Sequence, residues 1–392
     1  MDNTFICAYS RTPIGSFQGT LKNVCAIELG ANTIRTTLKK ASLHNEKIDE
    51  VIMGNVLSAG LGQAPARQAA IFAGLPHNVE CMTINKVCGS GLKAIMLADQ
   101  SIRTGNSNFV IAGGMENMSM APYYIKKGRS GLKFGDSKLI DAILYDGLRD
   151  PYDDVLMGDF AEVLIDEEKF NREDQDQFAI ESYKRSNRAI QKGYFKNEIS
   201  PVEIKNKGKT LLIENDEEPL KFNENKIKEL RPVFRKNGSI TAANASSLND
   251  GAASILIVSK SKVDENNLNP IAKIIDHVSF AMEPKYFTKA PIYAIKKLLK
   301  KTNLTINDID LFEINEAFAC VTLVAMKHLN ISSKKLNIYG GAVSLGHPIG
   351  ASGARILVTL LNALEQEQKK YGIACLCIGG GEAAAMLVER VN

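Results

Sequence analysis

Three short motifs occur twice in this 392-residue chain, in the same order and about 260 residues apart. IDEVIM at 48–53 is echoed by IDLFEI at 309–314, GSGLKAI at 89–95 by ASGARIL at 351–357, and VIAGGME at 110–116 by CIGGGEA at 377–383. Any one pair could arise by chance, but three in register point to two similar halves packed against each other. The chain is also too long for one ordinary core, which independently favours two or three structural units.

Within each half, short apolar runs bounded by Gly or Asn read as buried strands: 51–55, 109–113, 309–314 and 375–379. Leu92, Ile95, Met96 and Ile102 fall at helical spacing. This alternation predicts an α/β protein with largely parallel sheets. Residues 119–240 differ in composition, with charged helical stretches such as 172–190 and Lys-, Asn- and Glu-rich segments. So long an insertion exceeds a linker, and such insertions commonly carry substrate and subunit contacts. The expected division is therefore one half from 1–118 and 241–269, an inserted loop domain over 119–240, and a second half over 270–392.

Bulk properties narrow the function. Apolar residues make up 45% and charged residues 23%, values of a soluble globular protein. No run reaches the ~20 apolar residues of a membrane span, and the first residues show no basic flank before an apolar stretch, so a cytoplasmic protein without a membrane partner is expected. A net charge of +4 with interleaved signs argues against a nucleic-acid partner. Seven cysteines, at 7, 25, 81, 88, 320, 375 and 377, include no C-x-x-C pair and read as individual thiols rather than a disulfide framework or zinc site.

One of those thiols is placed for chemistry. Cys88 follows an alternating strand-like run and precedes Gly-Ser-Gly at the start of a helix. Unpaired amides and the helix dipole there favour a thiolate and can receive an oxyanion. A nucleophilic thiol needs a base. Of five histidines only His347 lies in a glycine-dense loop directly before a helix; His44, His77, His277 and His328 have no distinctive neighbours. Asn315 follows the 309–314 strand, where α/β sheets place ligand-binding groups, and Cys377 precedes three glycines much as Cys88 precedes Gly-Ser-Gly.

Seven segments together, RTPIG at 11–15, NKVCGSG at 85–91, AGGMENMS at 112–119, TAANASSLNDGAA at 241–253, NEAFA at 315–319, GHPIGASGAR at 346–355 and CIGGG at 377–381, resemble the thiolase family in family order and over essentially the whole chain. The nearest resemblance is to its acetyl-CoA C-acetyltransferase branch. The resemblance implies the thiolase fold, two α/β halves forming a five-layer αβαβα core with an inserted loop domain. It implies condensation of two acetyl-CoA to acetoacetyl-CoA and CoA, and the reverse thiolysis, through an acyl-Cys88 intermediate. It implies no permanently bound cofactor, no metal, and a homotetramer built as a dimer of dimers.

Carried over by position, Cys88 takes the acyl group and His347 activates it and helps bind the second thioester oxygen. Asn315 positions a water in that oxyanion hole, Cys377 moves the α-proton, and the amides of Cys88 and Gly379 hold the acyl-enzyme oxyanion. Ser246, Leu148, Met157, Ala317 and Phe318 match the CoA and acyl channel, and Lys221 the basic residue near the adenosine phosphate. Leu156 replaces a histidine usual in the acetoacetyl-specific branch and widens the expected specificity, whereas the bulk of Phe287 shortens the pocket. A broad 3-ketoacyl-CoA thiolase is thus the enzymatic alternative, and a non-catalytic CoA-binding scaffold the alternative of another class. Glu382 stands where many members are uncharged, and would raise the Cys377 thiol pKa if buried beside it.

Overall fold

The computed structural model describes residues 3–206 and 208–391. Nine strands run in one continuous sheet: β1 (Thr4–Arg11), β2 (Glu50–Gly54), β3 (Glu80–Ile84), β4 (Phe109–Asn117), β5 (Asn249–Ser259), β6 (Ala272–Ala281), β7 (Leu311–Ile314), β8 (Tyr371–Ile378) and β9 (Glu382–Arg390). Their spatial order is β7-β8-β9-β6-β1-β5-β4-β2-β3, and the two-residue strand Gly15–Ser16 adds to β5.

The order explains the repeat. In each half a parallel pair, β2 with β4 and β7 with β8, continues through antiparallel neighbours, β5 then β1 and β9 then β6. The two series meet where β1 pairs antiparallel with β6, Phe5 opposite Lys273 and Ile6 opposite Ala272. Even the parallel neighbour β3 of the first half has its counterpart in a single parallel bridge between Phe312 and Leu336.

Two expectations are corrected. The sheet is not largely parallel: parallel pairing is confined to its two outer ends, and every central pairing is antiparallel. Strands buried on both faces read as continuous apolar runs in either arrangement, so composition could not separate them. The third repeated motif is also out of register, since VIAGGME starts at the second residue of β4 while CIGGGEA starts at the penultimate residue of β8. Gly113 and Gly114 are required by close backbone approach and Gly380 and Gly381 by positive φ, so the shared letters made the match without a shared cause.

Helices complete the layers. Helices α1 (Ala26–Ala41) and α2 (Pro65–Phe72) cover the outer face of the first half-sheet, with a core built on Leu29, Ile34, Val51 and Ile111. Later helices are α3 (Ser90–Arg103), α4 (Met157–Glu168), α5 (Arg172–Lys192), α6 (Ala290–Thr302), α7 (Ala319–Leu329) and α8 (Ile349–Gln366). Helices α6 and α7 cover the second half-sheet. Between the two half-sheets lie α3 and α8, packed on each other and sharing one core with both halves. Helix α8 is buried at every position from Ile349 to Leu364. Its polar side chains Ser352, Arg355, Thr359 and Asn362 fall on one face, and that face is enclosed too, met by polar groups of the protein rather than by solvent.

The segment between β4 and β5 contains α4 and α5, a hairpin of Val202–Asn206 with Lys209–Ile213, and a short pair of Tyr123–Tyr124 with Ile140–Asp141. Helix α5 starts at Asn171, whose side chain accepts from the Asp174 amide, and ends at Gly193 in the left-handed conformation. Among the described residues no helix is long and apolar enough to cross a membrane.

Candidate active site

The turn that presents Cys88 is held by its own side chains. Asn85 Oδ1 accepts from the Val87 amide at 2.9 Å, and Ser90 Oγ accepts from the Lys86 amide at 2.8 Å while donating to the Val87 carbonyl at 2.7 Å. Val87 adopts a φ of +46°, a left-handed conformation that is strained for a β-branched residue by roughly 1–3 kcal/mol. The sharp elbow therefore comes from Val87 and not from flanking glycines, which have ordinary φ.

Those glycines serve close approach. A Cβ on Gly89 would lie 2.4 Å from Cδ1 of Ile378, and one on Gly91 would lie 2.7 Å from the backbone nitrogen of Ala354. Helices α3 and α8 thus touch backbone to backbone at Gly91, which brings the N-terminus of α8, with His347 just before it, to the Cys88 turn.

Cys88, His347, Cys377 and Gly379 converge on one cavity of about 320 Å³, otherwise lined mainly by apolar side chains. Leu148, Met157, Ser246, Phe287, Ala317 and Phe318 all lie on its wall, as does Leu156. Met118, Leu144, Val233, Phe234, Leu248 and Ile349 also line it, and sequence reasoning missed them. They are ordinary apolar residues on loops and helix ends, and no spacing marks them before the fold brings them together. Ser246 Oγ donates to the Ala317 carbonyl at 2.9 Å, tying the two walls.

Asn315 and Lys221 are placed differently. Asn315 is fully buried at the end of β7 but is not on the cavity wall; its amide nitrogen Nδ2 has no protein partner. Lys221 lies outside the cavity, half-exposed, with its ammonium on Ser16 Oγ and 3.3 Å from a Glu218 carboxylate oxygen. Nothing in this arrangement directs it to the cavity.

Electrostatics set the resting protonation states. Burial pushes the Cys88 thiol up to about 11; the amides of Gly379 and of Cys88 itself pull the other way, and the Glu116 carboxylate adds to the rise. Cys88 keeps partial access to the cavity, yet its resting form is the thiol. This corrects the expectation of a thiolate at the helix N-terminus, because desolvation outweighs the few facing amides. Cys377 is pushed well above an ordinary thiol by burial and then by the nearby thiol of Cys88. Glu382 does not contribute: its carboxylate pairs with Lys86 across the halves.

Burial, reinforced by the Arg355 charge, depresses His347 to about 3, so its imidazole is neutral. Its Nδ1 lies 2.6 Å from Ser352 Oγ, its amide donates to Asn249 Oδ1 at 2.9 Å, and Nε2 is buried without a protein partner. The other histidines are engaged elsewhere or exposed: His277 with Asp99, His328 with Glu168, and His44 and His77 at the surface. A buried carboxylate, Glu116, accepts from the amides of Val56, Leu57 and Gly350 and from Asn55 Nδ2, which clamps the start of α8 to the first half.

Comparison with known proteins agrees with this geometry. The family model for the thiolase N-terminal domain matches residues 4–261 and that for the thiolase C-terminal domain matches residues 268–390. Acetyl-CoA acetyltransferase IA of Candida tropicalis is 48% identical over 392 residues, covering 99% of this chain and 97% of that protein. A cytosolic acetyl-CoA acetyltransferase of Gibberella zeae is 46% identical over 390 residues, covering 99% and 98%. The crystal structure of the Acat5 thiolase of Ascaris suum in complex with coenzyme A superposes with a TM-score of 0.95 at 43% identity, covering 99% of this chain and all of that one. Matched by both domains of the family along nearly its whole length, with two cysteines and a histidine from different halves meeting in one cavity, the chain belongs to the thiolases.

Proposed function

We propose that this protein is an acetyl-CoA C-acetyltransferase, joining two acetyl-CoA into acetoacetyl-CoA and CoA and catalysing the reverse thiolysis. The observation that carries this reading is the meeting of two thiols and an unpartnered imidazole nitrogen at the polar end of an otherwise apolar cavity.

His347 Nε2 accepts the Cys88 proton as the sulfur attacks the thioester carbonyl of the first acetyl-CoA. The resulting oxyanion is received by the amides of Cys88 and Gly379, donors already fixed in place. As the tetrahedral centre collapses, the departing CoA sulfur takes the proton of Cys377. That leaves acetyl-Cys88, an imidazolium and a Cys377 thiolate.

The thiolate removes an α-proton from the second acetyl-CoA. The high proton affinity that burial gives Cys377 suits it to so weak a carbon acid. The enolate oxygen rests on His347 Nε2–H and on a water held by Asn315 Nδ2, and its carbon attacks the acetyl-Cys88 carbonyl. Cys88 leaves and recovers its proton from His347, which restores the starting state. The scheme uses CoA thioesters as substrates and no resident cofactor or metal, and it is ping-pong.

Ser246, Leu148, Met157, Ala317 and Phe318 hold the pantetheine and acyl portions along the cavity wall. Leu156 on that wall favours a second reading, a broader 3-ketoacyl-CoA thiolase, while Phe287 bounds the cavity in favour of short chains. Assembly as a homotetramer is supported by β3 ending the sheet with Met82 exposed, and by the 120–145 segment exposing Tyr123, Ile125, Phe134 and Leu139. A cytoplasmic location is supported by the Gibberella zeae relative, named as cytosolic.

The deciding experiment is mass spectrometry after mixing with acetyl-CoA. An acetyl adduct localised to Cys88, absent in Cys88→Ala together with thiolysis, is expected; full thiolysis by Cys88→Ala would refute the assignment of Cys88, and neither adduct nor thiolysis in the unaltered protein would favour a scaffold.

A further inference from the structure

Helix α8 carries two polar side chains three residues apart, each of which meets a polar group of the site. Ser352 meets His347 Nδ1 at 2.6 Å, and Arg355, nearly one turn on, places Nη2 3.5 Å from Oδ1 of Asn315.

Arg355 is not the usual buried ion pair. Arg11, in the same protein, is matched by Glu198 at 2.5 Å and by both carboxylate oxygens of Asp216 at 2.6 and 2.8 Å. Arg355 is 2% exposed, yet its nearest carboxylate oxygen, on Glu313, is 3.5 Å from Nη1, and its Nε has no partner. The other charges acting on it, from Glu198, Glu316 and Arg11, make no hydrogen bond or ion pair with it. A guanidinium buried with so little pairing costs stability that an apolar side chain would not. Fold maintenance alone does not account for it.

The amide it faces can be placed either way round. Guanidinium nitrogens only donate, so an NH2 turned toward Arg355 would set donor against donor, whereas Oδ1 turned toward it, at 3.5 Å, meets the guanidinium charge at the outer limit of hydrogen-bond distance. The Asn315 backbone is already fixed, its amide donating to the Cys375 carbonyl at 2.9 Å. The side-chain amide is thereby left with Nδ2 turned away from Arg355, buried and unpartnered.

We propose that Arg355 is a positioning residue for carbon–carbon bond formation: it holds Asn315 with its oxygen inward, so that Nδ2 remains available to the oxygen of the thioester enolate through the water that Asn315 binds. The proposal rests on reading Asn315 as part of the enolate site. One buried helix thus orients both polar groups of that site, His347 through Ser352 and Asn315 through Arg355.

The test separates the two chemical stages in the full-length protein at pH 8. Arg355→Met removes the donors at similar bulk. We expect kcat for thiolysis of acetoacetyl-CoA to fall about 10-fold or more with KM within about twofold. Acetyl loading of Cys88 from acetyl-CoA, timed by quenched mass spectrometry, should not fall by more than about threefold, because that stage forms no enolate and loss of the Arg355 charge makes His347 more basic. Adding Arg355→Met to Asn315→Ala should slow thiolysis little beyond Asn315→Ala alone, as expected for residues acting through one group.

Unchanged kcat in Arg355→Met, equal loss in both stages, or independent multiplication of the two effects would overturn the proposal. Full activity of Asn315→Ala would overturn the reading of Asn315 and the proposal with it; impaired Asn315→Ala beside normal Arg355→Met would overturn only the positioning role. If Arg355→Met does not fold, Arg355→Lys carries the same comparison. It keeps the charge but cannot span Glu313 and Asn315 together, and should show the same split at about fivefold; loading and thiolysis falling together, or neither falling, would overturn the proposal there.

Discussion

Ser352 Oγ accepts from Nδ1 of His347 at 2.6 Å and gives its own proton to the Pro348 carbonyl at 2.9 Å. A hydroxyl has one hydrogen, and with that hydrogen on Pro348 the imidazole must carry its proton on Nδ1. Nε2 then presents a lone pair to the cavity, the form needed to take a thiol proton.

Replacing that acceptor should show its worth. Ser352→Ala removes the tautomer bias while leaving the helix intact, so kcat/KM is expected to fall about 10- to 100-fold with stability changed by only about 1 kcal/mol. Steady-state thiolysis and thermal unfolding measured together check this; wild-type kcat/KM in Ser352→Ala would contradict it.

The pH dependence of Cys88 alkylation follows from its thiol being pushed up to about 11. Below that value the thiolate fraction rises tenfold per pH unit, so the iodoacetamide rate should climb steadily from pH 6 to 9. His347, depressed to about 3, adds no inflection there. A rate plateau between pH 6 and 8 would instead reveal a resting thiolate–imidazolium pair.

Two glycines of the site should respond in opposite ways. In Gly91→Ala the new Cβ meets the Ala354 backbone at 2.7 Å, which neither helix can vacate cheaply, so a loss of about 3 kcal/mol in urea unfolding is expected. In Gly379→Ala the nearest atom is Met157 Sδ at 3.4 Å, ordinary contact, and stability should stay within about 1 kcal/mol. Equal destabilisation of the two would show that the close approach of α3 and α8 is not the constraint.

Chain length should be governed by Phe287, which is buried and bounds the cavity. Phe287→Ala is expected to raise the kcat/KM ratio of a longer 3-ketoacyl-CoA over acetoacetyl-CoA by about 10-fold or more. No change in that ratio would shift the role to Leu156 or another wall residue.

Much of this site was legible because its chemistry needs unusual residues in unusual company. A cysteine before Gly-Ser-Gly, a histidine among glycines and an asparagine at a strand end stand out from ordinary grammar, and the repeat set two of them in the opposite half from Cys88. Residues such as Met118, Phe234 and Ile349 did not stand out, since an apolar residue looks the same in a core and on a substrate channel. The source of the elbow was also hidden, because nothing in a valine announces a positive φ.

The sequence by itself determined the two-fold plan of the chain and the identity of its reactive groups, since repeats and residue chemistry are local properties carried by the letters. Only the tertiary structure decided the direction of the central strands, the proton-bearing nitrogen of His347 and the protonation of Cys88. Each depends on what lies across a gap in space: an antiparallel seam between β1 and β6, a serine hydroxyl one turn up a buried helix, and burial deep enough that desolvation of Cys88 outweighs the amides at a helix end.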